Sequence, residues 1–373
     1  MIAPPWVTVP PLGYGGTEGV VDTLARGLVA RGHDVSLFTV GDSTCPVERR
    51  WVYPHAVAPM GRTAAECRHV QAAYDDLADC DLIHDHTTFG PVWAAALGLD
   101  RPVVTTVHSS FDAETRAVYA RLGSWATVNA ISHSQRSSAP EVPIATVIHH
   151  GIDPEHYAVG PGDGGYALFL GRSSPDKGAH DAIEIARRAG VPLRIAAKVR
   201  EPDEVDYFRK HIEPHLGPDV EFLGEIGPAE RQRQLAGAVV LLNPIAWPEP
   251  FGLVMIEAMA CGTPVIAFRS GAAPEIVTHG STGFLCRDVD DAVTALRSVD
   301  DLDRAACRVE VEGRFSARRM TRDYVALYRN AAERQAARPQ IRGTLARPGR
   351  HRPRVPVTAR SVVGRRSGGA ARA

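Results

Sequence analysis

The sequence predicts an α/β protein of two doubly wound domains, each a parallel sheet with helices on both faces. Three observations carry that prediction. The chain of 373 residues exceeds what a single core usually supports. Short β-branched runs alternate with helical patterns, which is the signature of parallel sheets. The alternation also restarts: one series ends before the Gly/Pro-rich "VGPGDGGY" at 159–166, and another begins with "YALFLGR" at 166–172. The domain boundary therefore falls at about residue 160, and the glycines at 160–165 suit a hinge.

In the first series "DVSLFTV" (34–40), "DLIHDH" (81–86), "PVVTTVH" (102–108) and "ATVNAIS" (126–132) read as strands. The clearest helix places Val20, Val21, Leu24 and Leu28 on one face and stops at Gly32. A strand should precede the glycine loop "GYGGTEG" at 13–19. Only "MIAPPW" is available for it, so that strand would start at or before Met1. The second series continues through "PLRIAAKV" (192–199), "VEFLG" (220–224), "AVVLLNP" (238–244) and "TPVIAF" (263–268). Beyond it, Met320, Tyr324, Leu327 and Tyr328 are spaced for one apolar helix face. Residues 334–373 are Arg, Pro and Gly without periodicity, and disorder is expected there.

Charge and cysteine usage narrow the class. The formal net charge is −1, from 42 Lys and Arg against 43 Asp and Glu. Eleven arginines and no acid lie beyond Glu333, which leaves 31 bases against 43 acids before it. Such a tail either meets anionic lipid or nucleic acid by plain electrostatics or stays inert. The Arg-rich, Lys-poor composition favours the inert reading; the partner open to the tail is an anionic membrane touched peripherally, with no specific nucleic acid. Six scattered cysteines without a CxxC pair signal neither a zinc site nor a disulfide framework. Reduced thiols fit a cytoplasm. The N-terminal stretch lacks a basic region before its apolar residues, and no run nears the roughly 18 apolar residues of a membrane span. The expected location is cytoplasmic, or peripheral at the inner membrane face.

Several motifs carry chemistry. The glycine loop could serve a dinucleotide, a sugar phosphate, or only a tight turn. A dinucleotide fingerprint needs GxGxxG, but its sixth position here is Glu18, and Asp34 precedes its strand instead of ending it. In "LFLGRSSPDKGAHDAIEIA", Arg172 and Lys177 sit on a loop between a strand and a helix N-terminus, where anions are attracted. Two cations on that loop would clamp a diphosphate; solvated surface charges are the plainer alternative. In "WPEPFGLVMIEAMACGTPVIAF", Glu249 lies in a proline-stiffened loop and Glu257 in the helix starting near Gly252. Free N–H groups at Phe251, Gly252, Leu253 and Val254 would meet a ligand's anionic middle, with one carboxylate toward each end. His84 and His86 share a strand face, as in some metal sites. Without a third ligand, an acceptor contact or plain packing fits better.

The stretches "GYGGTE", "TVHSS", "GRSSPDKG", "FLGEIG" and "EPFGLVMIE" occur in the order seen in family-4 retaining glycosyltransferases, which the chain resembles from about Pro4 to about Tyr328. The resemblance implies the GT-B fold, two Rossmann-like domains facing each other across a cleft. It implies an acceptor-side domain at 1–158 and a nucleotide-sugar domain at 159–316. A helix at about 317–333 would cross back onto the first domain, with a tail at 334–373. It also implies transfer of a hexose-type sugar from a UDP- or GDP-linked donor to an acceptor that is a lipid, a metabolite or a glycan. No metal and no cofactor are implied.

The resemblance extends to residues. Gly15 and Gly16 match the loop whose backbone approaches the donor phosphate, and Arg172 and Lys177 match the diphosphate ligands. Glu257 matches the ribose-binding acid, and Glu249 the acid that meets donor-sugar hydroxyls, the two being the E-x7-E element. Glu225 and Ile226 match the strand end that holds the base, and His108 the histidine near the reacting sugar. Competing readings are a GT-B nucleotide-sugar epimerase, a dehydrogenase, a hydrolase-like carboxylate pair and a non-catalytic sugar-nucleotide-binding protein.

Overall fold

The computed structural model describes residues 1–337 except Tyr14 and Ser124. The expectation for the tail lies outside the described residues. Twelve strands are found among those residues, all paired in parallel where they lie in ladders. β1 (Ser36–Thr39) pairs with β2 (Glu48–Trp51), and β3 (Ile83–Asp85), β4 (Val103–Thr106), β5 (Thr127–Ala130) and β6 (Ile144–Val147) pair in sequence order. Ile2 bridges both Phe38 of β1 and Asp85 of β3, joining these ladders into one N-terminal sheet. The strand expected at the start of the chain is thus a single bridging residue, held by the Ile2 N–H on the His84 carbonyl and the Ala3 N–H on the Phe38 carbonyl, both at 2.9 Å.

The second sheet holds β7 (Ala167–Arg172), β8 (Leu193–Lys198), β9 (Val220–Gly224), β10 (Val240–Asn243), β11 (Val265–Phe268) and β12 (Gly283–Cys286). Its order is β12-β11-β10-β7-β8-β9, so the chain winds outward from β7 in both directions. That reversal opens a crevice at the carboxyl ends of β7 and β10, where open α/β sheets bind ligands. The strands are apolar runs buried on both faces: Val240, Leu241, Leu242, Val265, Ile266 and Ala267 are each at most 2% exposed.

The helix Ala317–Ala336 returns to the N-terminal sheet. Met320, Tyr324, Val325 and Leu327 are buried in one cluster with Val20, Val21, Leu24 and Leu28 of the helix Gly16–Val29. The two passages between lobes are bonded together: the Ile152 N–H reaches the Phe315 carbonyl at 2.9 Å, and the Ala317 N–H reaches the Ile152 carbonyl at 2.6 Å. A Cβ on Gly151 would stand 2.5 Å from the Ser316 carbonyl oxygen, so only glycine lets these passages touch.

The hinge expected at 160–165 is not there. The N–H groups of Gly160, Gly162 and Gly164 bond to the carbonyls of Cys261, Ala236 and Gly237 at 3.0, 3.1 and 2.9 Å. The Arg304 Nε–H also donates to the Gly160 carbonyl at 2.9 Å. These glycines serve close packing, since a Cβ on Gly160 would lie 2.3 Å from the Ala236 carbonyl oxygen. The chain passes between the lobes instead at the paired segments near Ile152 and Ser316.

Candidate active site

A cleft of about 2280 Å³ runs between the lobes and reaches the carboxyl ends of β4, β7 and β8. Gly13, Gly15 and Gly16 form its N-terminal lip. A Cβ on Gly13 would lie 2.4 Å from Glu225 Oε1, and one on Gly16 would lie 3.3 Å from Leu253 Cδ1. The loop is bare because it meets the other lobe at both points. Glu18, in the first turn of the helix Gly16–Val29, is 5% exposed, and burial pushes its carboxyl up to about 7. An anion beside this loop therefore faces a carboxyl that is only partly ionised near neutral pH, which softens the repulsion suggested by its charge in the sequence.

Behind the loop lies a chain of imidazoles. His108 follows β4, with its Nε2 2.9 Å from His86 Nδ1 and its ring stacked on His150 at 5.2 Å. Burial pulls His108 down to about 4, so it meets a ligand as a neutral hydrogen-bonding group. His84 is held differently: Nδ1 lies 2.7 Å from the Tyr328 hydroxyl and Nε2 lies 2.8 Å from Thr106 Oγ1. His84 thus packs against the returning helix, whereas His86 supports His108.

On the C-terminal side, Arg172 ends β7, and Lys177 closes the turn Pro175–Lys177. The chain then enters the helix Ala179–Ala189 through Gly178, at φ +73°. Arg172 donates to Asp176 at 3.1 Å, and the buried Lys177 ammonium is ion-paired with Glu249. Each cation on the loop thus has a carboxylate counter-ion. Glu249 is fixed by its backbone: its carbonyl accepts from the Ala272 N–H at 3.0 Å, and a Cβ on Gly271 would stand 2.4 Å from its nitrogen.

The helix Leu253–Ala260 begins beside this pair. Its N-cap, Gly252, has φ +99°, and a Cβ there would lie 2.6 Å from Met255 Cε and 3.1 Å from Glu249 Oε2. Backbone N–H groups of the first turn have no intrahelical acceptor and face an anion well. Leu253 and Val254 line the cleft, while the Phe251 ring is buried edge-on against His150 at 4.9 Å. Glu257, one turn along, accepts from the Tyr157 hydroxyl at 3.3 Å and lies 3.5 Å from Arg231. Glu225 and Ile226 follow β9 at the far end of the cleft, where Arg200 pairs with Glu225 at 2.7 Å.

The structure brings the residues selected for donor binding and catalysis to one cleft, together with His86, while His84 lies outside its lining. Sequence reasoning missed His150, Tyr157 and Arg231. The last two had no signal, because they reach Glu257 from distant elements. A further contact crosses the lobes outside the cleft. The Glu275 carboxylate accepts from the backbone N–H groups of His133 and Ser134 at 2.8 and 2.7 Å, and lies 2.8 Å from His149 Nε2.

Comparison with known proteins agrees with this architecture. Residues 159–304 match the family described as glycosyl transferases group 1, and residues 14–156 match glycosyltransferase family 4. Over 275 residues the chain is 31% identical to a glycogen synthase of Mycobacterium tuberculosis, covering 65% of this chain and 64% of the synthase. It therefore spans less than two thirds of that relative's length. The sucrose-phosphate synthase structure from Thermosynechococcus elongatus superposes with a TM-score of 0.75 at 22% identity, over 88% of this chain and 97% of that one. An Anabaena protein solved in complex with UDP and glucose gives 0.68 at 23% identity, over 85% and 96%. The fold shared with these structures is α/β with two lobes, the GT-B arrangement.

Proposed function

We propose that this chain, a glycosyltransferase of the family-4, GT-B type, moves a hexose from a nucleoside-diphosphate donor to an acceptor hydroxyl. The transfer retains anomeric configuration and uses neither metal nor cofactor. One observation carries the reading: Lys177 and Glu249, an ammonium and a carboxylate drawn from two loops, meet at the N-terminus of the helix Leu253–Ala260 inside the cleft. A diphosphate placed there would take the ammonium and the guanidinium of Arg172, together with the free N–H groups of the helix. Released from Lys177, the Glu249 carboxylate would accept from the sugar hydroxyls. The glycogen synthase relative and the structure holding UDP and glucose support a glucosyl donor.

The reaction would pass through an oxocarbenium-like state as the diphosphate leaves. Positive potential from Arg172, Lys177 and the helix terminus grows in value as that negative charge develops. The departing phosphate oxygen would take the acceptor proton on the same face, so Glu249 orients the sugar without becoming a nucleophile. Neutral His108 would hold a sugar hydroxyl. Gly15 and Gly16 would let backbone approach the phosphate, and Glu225 and Ile226 would border the base. The acceptor is a lipid, a metabolite or a glycan. The Arg-rich residues beyond Glu333 would add a peripheral contact with anionic membrane at the cytoplasmic face; among the described residues no helix is long and apolar enough to cross a membrane.

A thermal-shift panel of UDP- and GDP-hexoses tests the reading, followed by release of free hexose from the donor that binds. A stabilising donor that is slowly hydrolysed is the expected result. If no nucleotide sugar raises the melting temperature, the reading fails; binding without any turnover would leave a sugar-nucleotide binder instead.

A further inference from the structure

Glu257 does not stand alone in the cleft. Its Oε1 is approached from two sides, by the Tyr157 hydroxyl at 3.3 Å and by Arg231 Nη2 at 3.5 Å. Tyr157 follows the turn Pro154–His156, Arg231 lies on the helix Pro228–Gly237, and Glu257 lies on the helix Leu253–Ala260, so three separate elements converge. All three side chains line the cleft. The Glu257 side chain is only 12% exposed and that of Arg231 27%. Arg231 Nε is also buried without a hydrogen-bond partner among the described residues. A guanidinium partly out of water, with an unmatched donor and a loose ion pair, is not in its best-bonded arrangement.

This geometry changes what Glu257 can recognise. A free carboxylate accepts from both hydroxyls of a vicinal diol. Here Oε1 already accepts from Tyr157 and stands 3.5 Å from Arg231 in a loose ion pair, and no hydrogen bond to Oε2 is found among the described residues. Oε2 can accept from one hydroxyl, and the second diol oxygen then needs a donor instead. Arg231 has several, and it stands beside the same carboxylate.

We propose that Arg231 is a specificity-determining residue for the donor nucleoside: it holds Oε1 of Glu257 and donates to one oxygen of the ribose diol while Oε2 accepts from the other hydroxyl. Tyr157 is a positioning residue in this arrangement, acting through Glu257. The inference rests on the proposed sugar-nucleotide function and on Glu257 facing the ribose. Recognition split between a donor and an acceptor rejects a deoxyribose strongly, because loss of either hydroxyl leaves a buried polar group unmatched.

The test measures calorimetric affinities of the full chain and of Arg231→Met, Arg231→Lys and Tyr157→Phe for UDP, GDP and their 2′-deoxy and 3′-deoxy forms. Wild type should bind the tighter ribonucleotide at least about 10-fold better than either deoxy form. Arg231→Met should weaken the ribonucleotide about 10-fold and lose discrimination at one hydroxyl while keeping it at the other. Arg231→Lys, which retains a charged donor, should recover part of both. Equal weakening of ribo and deoxy forms by Arg231→Met, or no weakening, overturns the assignment, and so does wild type binding all forms alike. Absence of any nucleoside-diphosphate binding by wild type would instead remove the sugar-nucleotide function and this inference together. Tyr157→Phe should lower affinity for all ribonucleotides less than Arg231→Met does; a larger loss there would place the specificity in Tyr157.

Discussion

The Lys177 ammonium and the Glu249 carboxylate form an ion pair across 72 positions of sequence, one on the loop after β7 and the other on the loop before the helix Leu253–Ala260. Both side chains are largely shielded, at 11% and 15% exposure. Two opposite charges withdrawn from water must be well matched to persist. A pair with this position can also exchange partners with a ligand that brings phosphate and hydroxyl groups.

Removing the ammonium leaves the shielded Glu249 carboxylate unmatched, so stability should fall along with turnover. Lys177→Ala is expected to lower kcat by about 10²–10³, the scale of losing one preorganised donor to developing negative charge. Steady-state transfer, or donor hydrolysis without acceptor, measures it. Activity within a few-fold of wild type would show that the ammonium does not meet the leaving group.

Gly252 should tolerate no side chain. Its φ of +99° is strained for any L-residue, and a Cβ would press on Met255 Cε and Glu249 Oε2. Gly252→Ala is expected to cost about 1–3 kcal/mol of stability. It should also displace Glu249 and thus lower activity beyond what the loss of stability explains. Melting temperature and kcat measured on the same preparation separate the two. An alanine variant that matches wild type in both would mean that the turn and the carboxylate adapt freely.

Much of this is legible in the sequence. β10 and β11 are continuous apolar runs because both faces are covered, and the loops after β7 and before the helix Leu253–Ala260 advertise themselves by Lys, Pro and Gly. β2 was invisible: Glu48, Arg49, Arg50 and Trp51 are mostly exposed and show no alternation, and the strand exists only by pairing with β1. β6 and β12 were missed as well: three of the four residues of β6 are only half-buried, and β12 opens on Gly283, a weak strand former. The glycines at 160–165 misled because flexibility and tight packing use the same residue. Arg231 beside Glu257 and Glu275 beside His133 depend on tertiary approach alone, which no local pattern encodes.

Glu18 should make the protein sensitive to alkali. Its folded carboxyl titrates at about 7, raised by burial from an ordinary value of 4.5. The fold thus prefers the protonated form. The stability this preference contributes is fully present below about pH 4.5 and is lost as pH rises through 7. Glu18→Gln keeps the neutral form at every pH. Its stability relative to wild type should increase from pH 5 to pH 8 by up to about 3 kcal/mol. Donor affinity at pH 8 should increase as well, since no charge then forms beside the glycine loop. Denaturant midpoints at the two pH values check the first claim, and a parallel course for both proteins would refute it.

Glu275 should govern the opposite limb. Burial pushes its carboxyl up, but the His149 contact and the His133 and Ser134 N–H groups outweigh burial and hold it below the ordinary 4.5. A depressed carboxyl contributes stability that is present above the unfolded value and disappears as pH falls through the folded one. The partners lie on the N-terminal side and the carboxylate on the helix Ala273–Ile276, so this term acts between the lobes. Glu275→Gln keeps one carbonyl acceptor but loses the charge and one oxygen. It should destabilise the protein by about 1–3 kcal/mol at pH 7, the range for charge-assisted hydrogen bonds. The difference should shrink as pH falls from 4.5 through the depressed folded value, where the wild-type carboxyl is itself protonated. Melting curves of both proteins from pH 3.5 to 7.5 measure this directly. A deficit that stays constant across that range would mean that the carboxylate's shape, and not its charge, joins the lobes.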